Sequence, residues 1–322
     1  MERDSMLIKH IGLLLLLGSF GFDIFSQPVN LVWQVSQQGL WELDWLPELF
    51  SGLEIQNIND GKFEKFINNS IVVVQPHSFS DTTNTLSAKS YFKKLRDAGY
   101  KFGILLLSDE AFIAPTDSYR YANFVFRTSW DSKYNAFKNV LVFPLGYKTG
   151  FWKDCDKNLK PAIQRKYTWS FAGQSTGKQS RADMFKNMKQ ISNYFIHETY
   201  TWDDPNALKT NVYRDVLLDT IIVPCPSGWI NPDTFRTYEA LECGCIPIVE
   251  KGYNNYYESL LGKHPMPVVE SWEQAPDLVK SLLADPVGLE QLRVKCQEWW
   301  LDCKRSFNYK MTKTIKHTFR IK

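Results

Sequence analysis

The chain has 322 residues, 44% of them apolar, which is enough to bury the cores of two modest domains without disulfide staples. Its formal net charge of +3 is spread over mixed Lys/Arg and Asp/Glu segments with no long basic run, so composition argues against a nucleic-acid partner. The six cysteines, Cys155, Cys225, Cys243, Cys245, Cys296 and Cys303, lack paired C-x-x-C spacing and read as buried thiols or as one or two disulfides rather than a zinc site.

The amino terminus starts with charge, Arg3 and Lys9, followed by an apolar run over 11–22 that stops at Asp23. That run is shorter than the roughly 20 residues of a bilayer span and suits a signal peptide. A signal anchor stretched over 6–25, or a buried first element of a cytosolic protein, are the alternatives, and residues 1–27 are set apart as an uncertain signal segment. Residues 68–70 (NNS) form a glycosylation sequon that matters only on the secretory route.

From residue 30, short β-branched runs alternate with amphipathic stretches, the pattern of βα units on a parallel sheet. Strands are expected at 30–35, 70–75, 101–107, 123–127 and 140–144, with a helix at 87–98 that ends before Gly99. Residues 28–150 thus read as a first Rossmann-like domain. The polar stretch 151–165, with Pro161 and no sustained periodicity, reads as a linker. The alternation then restarts: strands at 167–171, 194–197, 220–224 and 246–249, and helices at 181–189, 212–218 and 232–243. After a short strand at 266–269 come helices at 273–283 and from 287 to about 307, so a second domain spans 166–300 and a helical tail 301–322. The fold class expected is α/β, two Rossmann-like domains facing across a cleft, where ligands of open α/β sheets bind at strand carboxyl ends.

Chemistry concentrates in residues 224–249 (PCPSGWINPDTFRTYEALECGCIPIV). A buried strand leads through a Pro/Ser/Gly loop, with Pro226 and Ser227, into a helix that Asn231 is placed to cap and Gly244 to end. Such a loop before a helix amino terminus favours a phosphate. Thr234 is counted among the donor-binding residues of that helix, and Arg236 and Glu239 share one face, spaced to meet a diphosphate and a ribose diol; an ordinary surface ion pair is the bland alternative. Upstream, residues 171–174 (FAGQ) put Gly173 and Gln174 at a strand end, with Arg181 in the next helix.

Residues 234–241 (TFRTYEAL) followed by 244–248 (GCIPI) resemble the carboxyl-terminal signature of exostosin-like glycosyltransferases. The FAGQ loop with Arg181 extends the likeness, and residues 34–50 and 107–110 (LSDE) resemble the branch of that family that includes ribitol-phosphate xylosyltransferases. The resemblance implies the GT-B fold, inversion at the sugar carbon, no required metal or other cofactor, a nucleotide-sugar donor, UDP-linked above all, and a glycan or polyol-phosphate acceptor. It also implies a Golgi or other secretory-pathway membrane location in a eukaryote, against cytoplasm in a bacterium.

Inverting transfer needs a base for the acceptor hydroxyl. Asp109, with Glu110 beside it, follows a strand end where catalytic groups are delivered, and Asp44 is the reserve in a Trp-rich segment. His77, His197 and His264 are too scattered for a metal site. Two other classes remain open at this stage: a fucosyltransferase-like enzyme using a GDP-sugar, and a non-catalytic glycan-binding protein on the same fold. A two-domain epimerase or phosphorylase is a third, and the phosphorylase lacks a recognisable cofactor lysine.

Overall fold

The structure, a computed structural model, describes residues 27–80, 87–153, 155, 157, 159–201 and 204–321. The expected signal segment lies almost wholly outside the described residues. Among those described, no helix is long and apolar enough to cross a membrane.

The first half builds a sheet from β1 (Val29–Trp33), β2 (Ile55–Asn59), β3 (Ser70–Val74), β4 (Phe102–Leu106), β5 (Phe124–Arg127) and β6 (Val140–Val142), with α1 (Leu46–Leu49) and α2 (Ala88–Asp97) between them. All pairings are parallel, in the order β2-β1-β3-β4-β5-β6. The second half repeats the plan with β7 (Tyr167–Gln174), β8 (Tyr194–Thr199), β9 (Thr220–Cys225), β10 (Ile246–Glu250) and β11 (Val268–Val269), ordered β11-β10-β9-β7-β8 and again parallel. Its helices are α3 (Gln179–Met188), α4 (Thr210–Leu218), α5 (Phe235–Glu242), α6 (Tyr256–Leu261), α7 (Ala275–Ala284) and α8 (Pro286–Phe319).

Strands covered by helices on both faces carry continuous apolar runs, as residues 71–74 (IVVV) and the wholly buried β4 do. Within β4, Gly103 is required by contact: a Cβ there would lie 2.1 Å from the Phe124 ring. The sequence reading has no counterpart of β2, since this edge strand (IQNIN) buries none of its residues fully and lacks an apolar run.

In each sheet the chain leaves its first strand to one side and then crosses to the other, so the connection reverses beside β1/β3 and beside β7/β9. Loops leaving the strands there open into a crevice, the standard ligand position of such sheets. A single 34-residue helix, α8, continues well beyond the expected end near 307 and crosses back to the first half. Trp300 stacks on Trp45 at 5.7 Å, Lys304 bridges Glu48 (2.9 Å) and Glu242 (2.6 Å), and Phe319 packs 5.7 Å from Phe124. Asn308 Nδ2 donates to the carbonyls of Glu48, Leu49 and Ser51. The apolar core is accordingly continuous across the two halves. Cys225, Cys243, Cys245, Cys296 and Cys303 are buried thiols in it, not disulfides.

Candidate active site

A cavity of about 420 Å³ lies between the two halves. One wall comes from the loops after β7, β8 and β9 and from the start of α5; the other comes from the loops after β1, β4, β5 and β6.

On the β7 side, Gly173 holds φ at +138°, and a Cβ there would come within 2.8 Å of the Arg236 guanidinium. Glycine thus lets Arg236 lie against the strand end, donating to the Ala172 carbonyl at 2.9 Å with its guanidinium 4.0 Å over the Phe171 ring. Arg181, 6% exposed, donates to the Gln174 carbonyl at 2.7 Å. Burial, and then the neighbouring Arg236 charge, push the Arg181 guanidinium down to about 10, with Glu110 opposing. The Nε atoms of both arginines are buried and have no hydrogen-bond partner among the described residues. Two guanidinium groups on one cavity wall, Arg181 buried and Arg236 half-buried, repel each other and make a site that an anion would relieve.

Glu239 is buried on the same helix face and accepts the Lys148 backbone N–H at 3.2 Å; burial raises its carboxyl above the ordinary range. Thr234 opens α5 in extended geometry and pairs with the Thr237 hydroxyl at 3.2 Å. Gly173, Gln174, Arg181, Thr234, Arg236 and Glu239 all line the cavity. The bland alternative of a surface ion pair fails for Arg236 and Glu239, since their bonds run to the main chain of β7 and of residue 148.

Pro226 and Ser227 are placed differently from the expectation. The Ser227 N–H donates to Glu250 at 2.9 Å and its hydroxyl bonds the same carboxylate, which turns this dipeptide toward β10 and away from the cavity wall. Gly228, Trp229 and Asn231 form the wall instead. Asn231 does not cap α5: its Oδ1 accepts from the Asp233 N–H at 2.9 Å.

The facing wall corrects the expected base. Asp109 is fully buried, paired with an equally buried Arg127 at 3.1 Å, and accepts the Ile113 N–H at 2.9 Å. Its carboxylate points into the first domain, and an acceptor cannot reach it. Asp44 is likewise removed: its Oδ2 accepts the Gly150 N–H at 2.8 Å, outside the cavity. Trp45 is core, while Trp41 lies on the cavity wall beneath the Lys148 ammonium at 3.9 Å.

Glu110 does face the cavity and reaches across it, accepting the Ile230 N–H at 3.0 Å. Glu42, Ser108 and Asp233 also line the walls, and the sequence reading gave none of them a role. Asp233 accepts the Tyr238 hydroxyl at 2.6 Å, and burial pushes its carboxyl up to about 7, with Glu110 adding to the rise. Asp233 was legible to the extent that it follows Pro232 at a helix start. Glu42 and Ser108 had no such signal, because they meet only when β1 and β4 share one sheet. His197 bonds the Asn206 carbonyl at 2.7 Å.

Comparisons with known proteins agree with this architecture. The sequence pattern of the RXYLT1 C-terminal domain matches residues 148–320. Mouse (Mus musculus) ribitol-5-phosphate xylosyltransferase 1 is 24% identical over 179 residues, 49% of this chain and 39% of the relative, so the match spans well under half of that protein. Anabaena Alr3699/HepE, solved in complex with UDP, superposes with a TM-score of 0.54 at 10% identity, covering 90% of this chain and 100% of that one. The DNA-modifying β-glucosyltransferase, solved with and without uridine diphosphoglucose, gives 0.52 at 14% identity over 92% and 100%. At such identities the two structures speak for the fold, which is GT-B, two Rossmann-like domains across a cleft. The family match covers more than half of the chain and includes every wall residue from Lys148 to Glu239: the chain belongs to the RXYLT1 C-terminal domain family.

Proposed function

We propose that the chain is an inverting glycosyltransferase that moves a sugar, a pentose such as xylose first, from a UDP-linked donor to a glycan or polyol-phosphate acceptor. The observation that carries the reading is the pair Arg181 and Arg236, one buried and one half-buried, which line one cavity wall with like charges that repel. Their charge meets the donor diphosphate and offsets the negative charge that grows on the leaving nucleotide, so transfer proceeds without a metal. Glu239, deep on the same wall, takes the ribose hydroxyls. Support for the donor and acceptor classes comes from the relatives: UDP in HepE, uridine diphosphoglucose in the β-glucosyltransferase, and ribitol-5-phosphate in the name of the xylosyltransferase. The exostosin-like signature around Arg236 and Glu239 supports a secretory-pathway location by the same kinship.

The test is calorimetric titration of the full chain with UDP, GDP and CMP, with and without a chelator, followed by release of UDP from UDP-xylose in the presence of ribitol 5-phosphate. UDP binding that survives the chelator supports the reading. Preference for GDP would move the chain to the fucosyltransferase-like class, and folded protein that binds no nucleotide would leave a non-catalytic glycan binder.

A further inference from the structure

Strand β4 delivers Ser108 to the cavity in an unusual way. Its φ is 56°, the left-handed region that a non-glycine residue avoids, and its side chain is exposed to the cleft. Backbone strain of this kind persists where the surroundings impose it, and it collects at functional sites. Here it aims both polar groups of Ser108 at one carboxylate. The Ser108 N–H and Oγ–H donate to Glu42 Oε1 at 3.1 and 2.9 Å, and Oγ lies 3.2 Å from Oε2. Gln75 Nε2 donates to Ser108 Oγ at 3.2 Å from the other side. Glu42 itself is 1% exposed, so the hydroxyl stands between the carboxylate and the cleft.

The neighbouring acids are otherwise engaged: Asp109 with Arg127, and Glu110 with the Ile230 N–H across the cavity. We infer that Ser108 and Glu42 form the proton relay for transfer, with Ser108 touching the acceptor and Glu42 receiving the proton through it. The inference rests on the glycosyltransferase reading. As the acceptor oxygen bonds to the sugar C1, its proton passes to Ser108 Oγ while the Ser108 proton passes to the Glu42 carboxylate. The bond from C1 to the phosphate oxygen breaks, and its electron pair leaves with the nucleoside diphosphate beside Arg181 and Arg236. Glu42 then returns its proton to solvent by the reverse relay. A serine hydroxyl is a poor base alone and acts only beside a proper one.

Burial holds the Glu42 carboxyl above its ordinary range, against the lowering effect of the Ser108 bonds. A carboxylate so raised is a better proton acceptor near neutral pH. The other charged side chains lining this wall are Glu110, two residues past Ser108, and Lys148 over the Trp41 ring; Asp44, two residues past Glu42, accepts the Gly150 N–H, and Asp109 pairs with Arg127.

The test compares wild type, Glu42→Gln, Glu42→Asp and Ser108→Gly in the full chain. Glycine keeps the left-handed backbone and removes the hydroxymethyl side chain, so this variant answers even if Glu42→Gln fails to fold. The readouts are UDP affinity by calorimetry and the pH profile of UDP release from UDP-xylose with ribitol 5-phosphate. The relay predicts UDP affinity within about twofold of wild type, kcat lower by at least about a hundredfold in Ser108→Gly and Glu42→Gln, loss of the rise in rate with pH, and partial recovery in Glu42→Asp. Ser108→Gly turning over within about threefold of an active wild type would sink the relay and leave the donor site standing. So would a variant that loses UDP affinity with kcat unchanged. Folded wild type that neither binds UDP nor releases it would overturn the donor reading, and the relay with it.

Discussion

The two walls of the cleft are built on the same strand order but carry opposite chemistry. The wall from β7, β9 and α5 presents two guanidinium groups that line the cavity and are bonded to strand-end carbonyls. The wall from β1 and β4 presents carboxylates and a hydroxyl, held by backbone N–H groups and by each other. One topology therefore yields an anion-binding face and a proton-accepting face, and the difference comes from which residues follow equivalent strand ends. The contrast also separates structure from chemistry within one loop: of the three consecutive residues 108–110, Asp109 anchors the first domain while Ser108 and Glu110 turn to the cavity.

That separation is the first thing to break. Asp109→Ala strands the buried Arg127 charge and should cost about 3–5 kcal/mol of folding stability, read as a large fall in the denaturation midpoint. Stability near wild type with activity abolished would return Asp109 to the catalytic role. The cationic wall comes next. Arg236→Ala removes a charge-assisted contact and should weaken UDP binding by roughly 1.5–3 kcal/mol, about 10- to 150-fold by calorimetry, with little loss of fold. Unchanged affinity would dissolve the distinction between the walls.

The smallest effect sharpens the boundary between them at Asp233, an acid on the cationic side. Its carboxyl, held near 7 by burial, gains a proton more readily folded than unfolded. The stability this linkage supplies is full below the unfolded value near 3.8 and is lost as pH rises to about 7. Asp233→Asn keeps an oxygen for the Tyr238 hydroxyl and removes the charge. It should therefore raise the melting temperature at pH 8 by an amount worth on the order of 1 kcal/mol and change it less at pH 5. A shift equal at both pH values would show that the charge is not the cause.

Legibility followed locality. The inner strands β3, β4, β5, β9 and β10 lay close to their apolar runs, because burial on both faces demands continuous β-branched and aromatic residues. Arg181 on one side, and Arg236 with Glu239 on the other, were visible because in each case strand, loop and helix lie next to one another in the chain; the pairing of β7 with β9 then brings the two arginines to one strand end. On the other wall the same reasoning chose Asp109 at the right strand end but the wrong orientation. One residue of rotation decides which side chain enters the core, and Arg127, 18 positions away on β5, claimed Asp109.

By itself, then, the amino-acid order determined two βα series and the position of the cleft at their strand ends, since each follows from hydrophobic periodicity, and it marked Arg181 and Arg236 beside two such ends; the pairing of β7 with β9 joined them into the arginine-bearing wall. Tertiary structure alone decided which acids face that wall. Glu42 and Ser108 are 66 positions apart and meet only because parallel pairing sets β1 and β4 on either side of β3. Glu110 finds Ile230 only because the two halves pack together, through α8 and through contacts such as the Tyr256 hydroxyl accepting the Trp130 N–H. Contacts of that range depend on which surfaces pack, a property of the assembled core that no window of sequence contains.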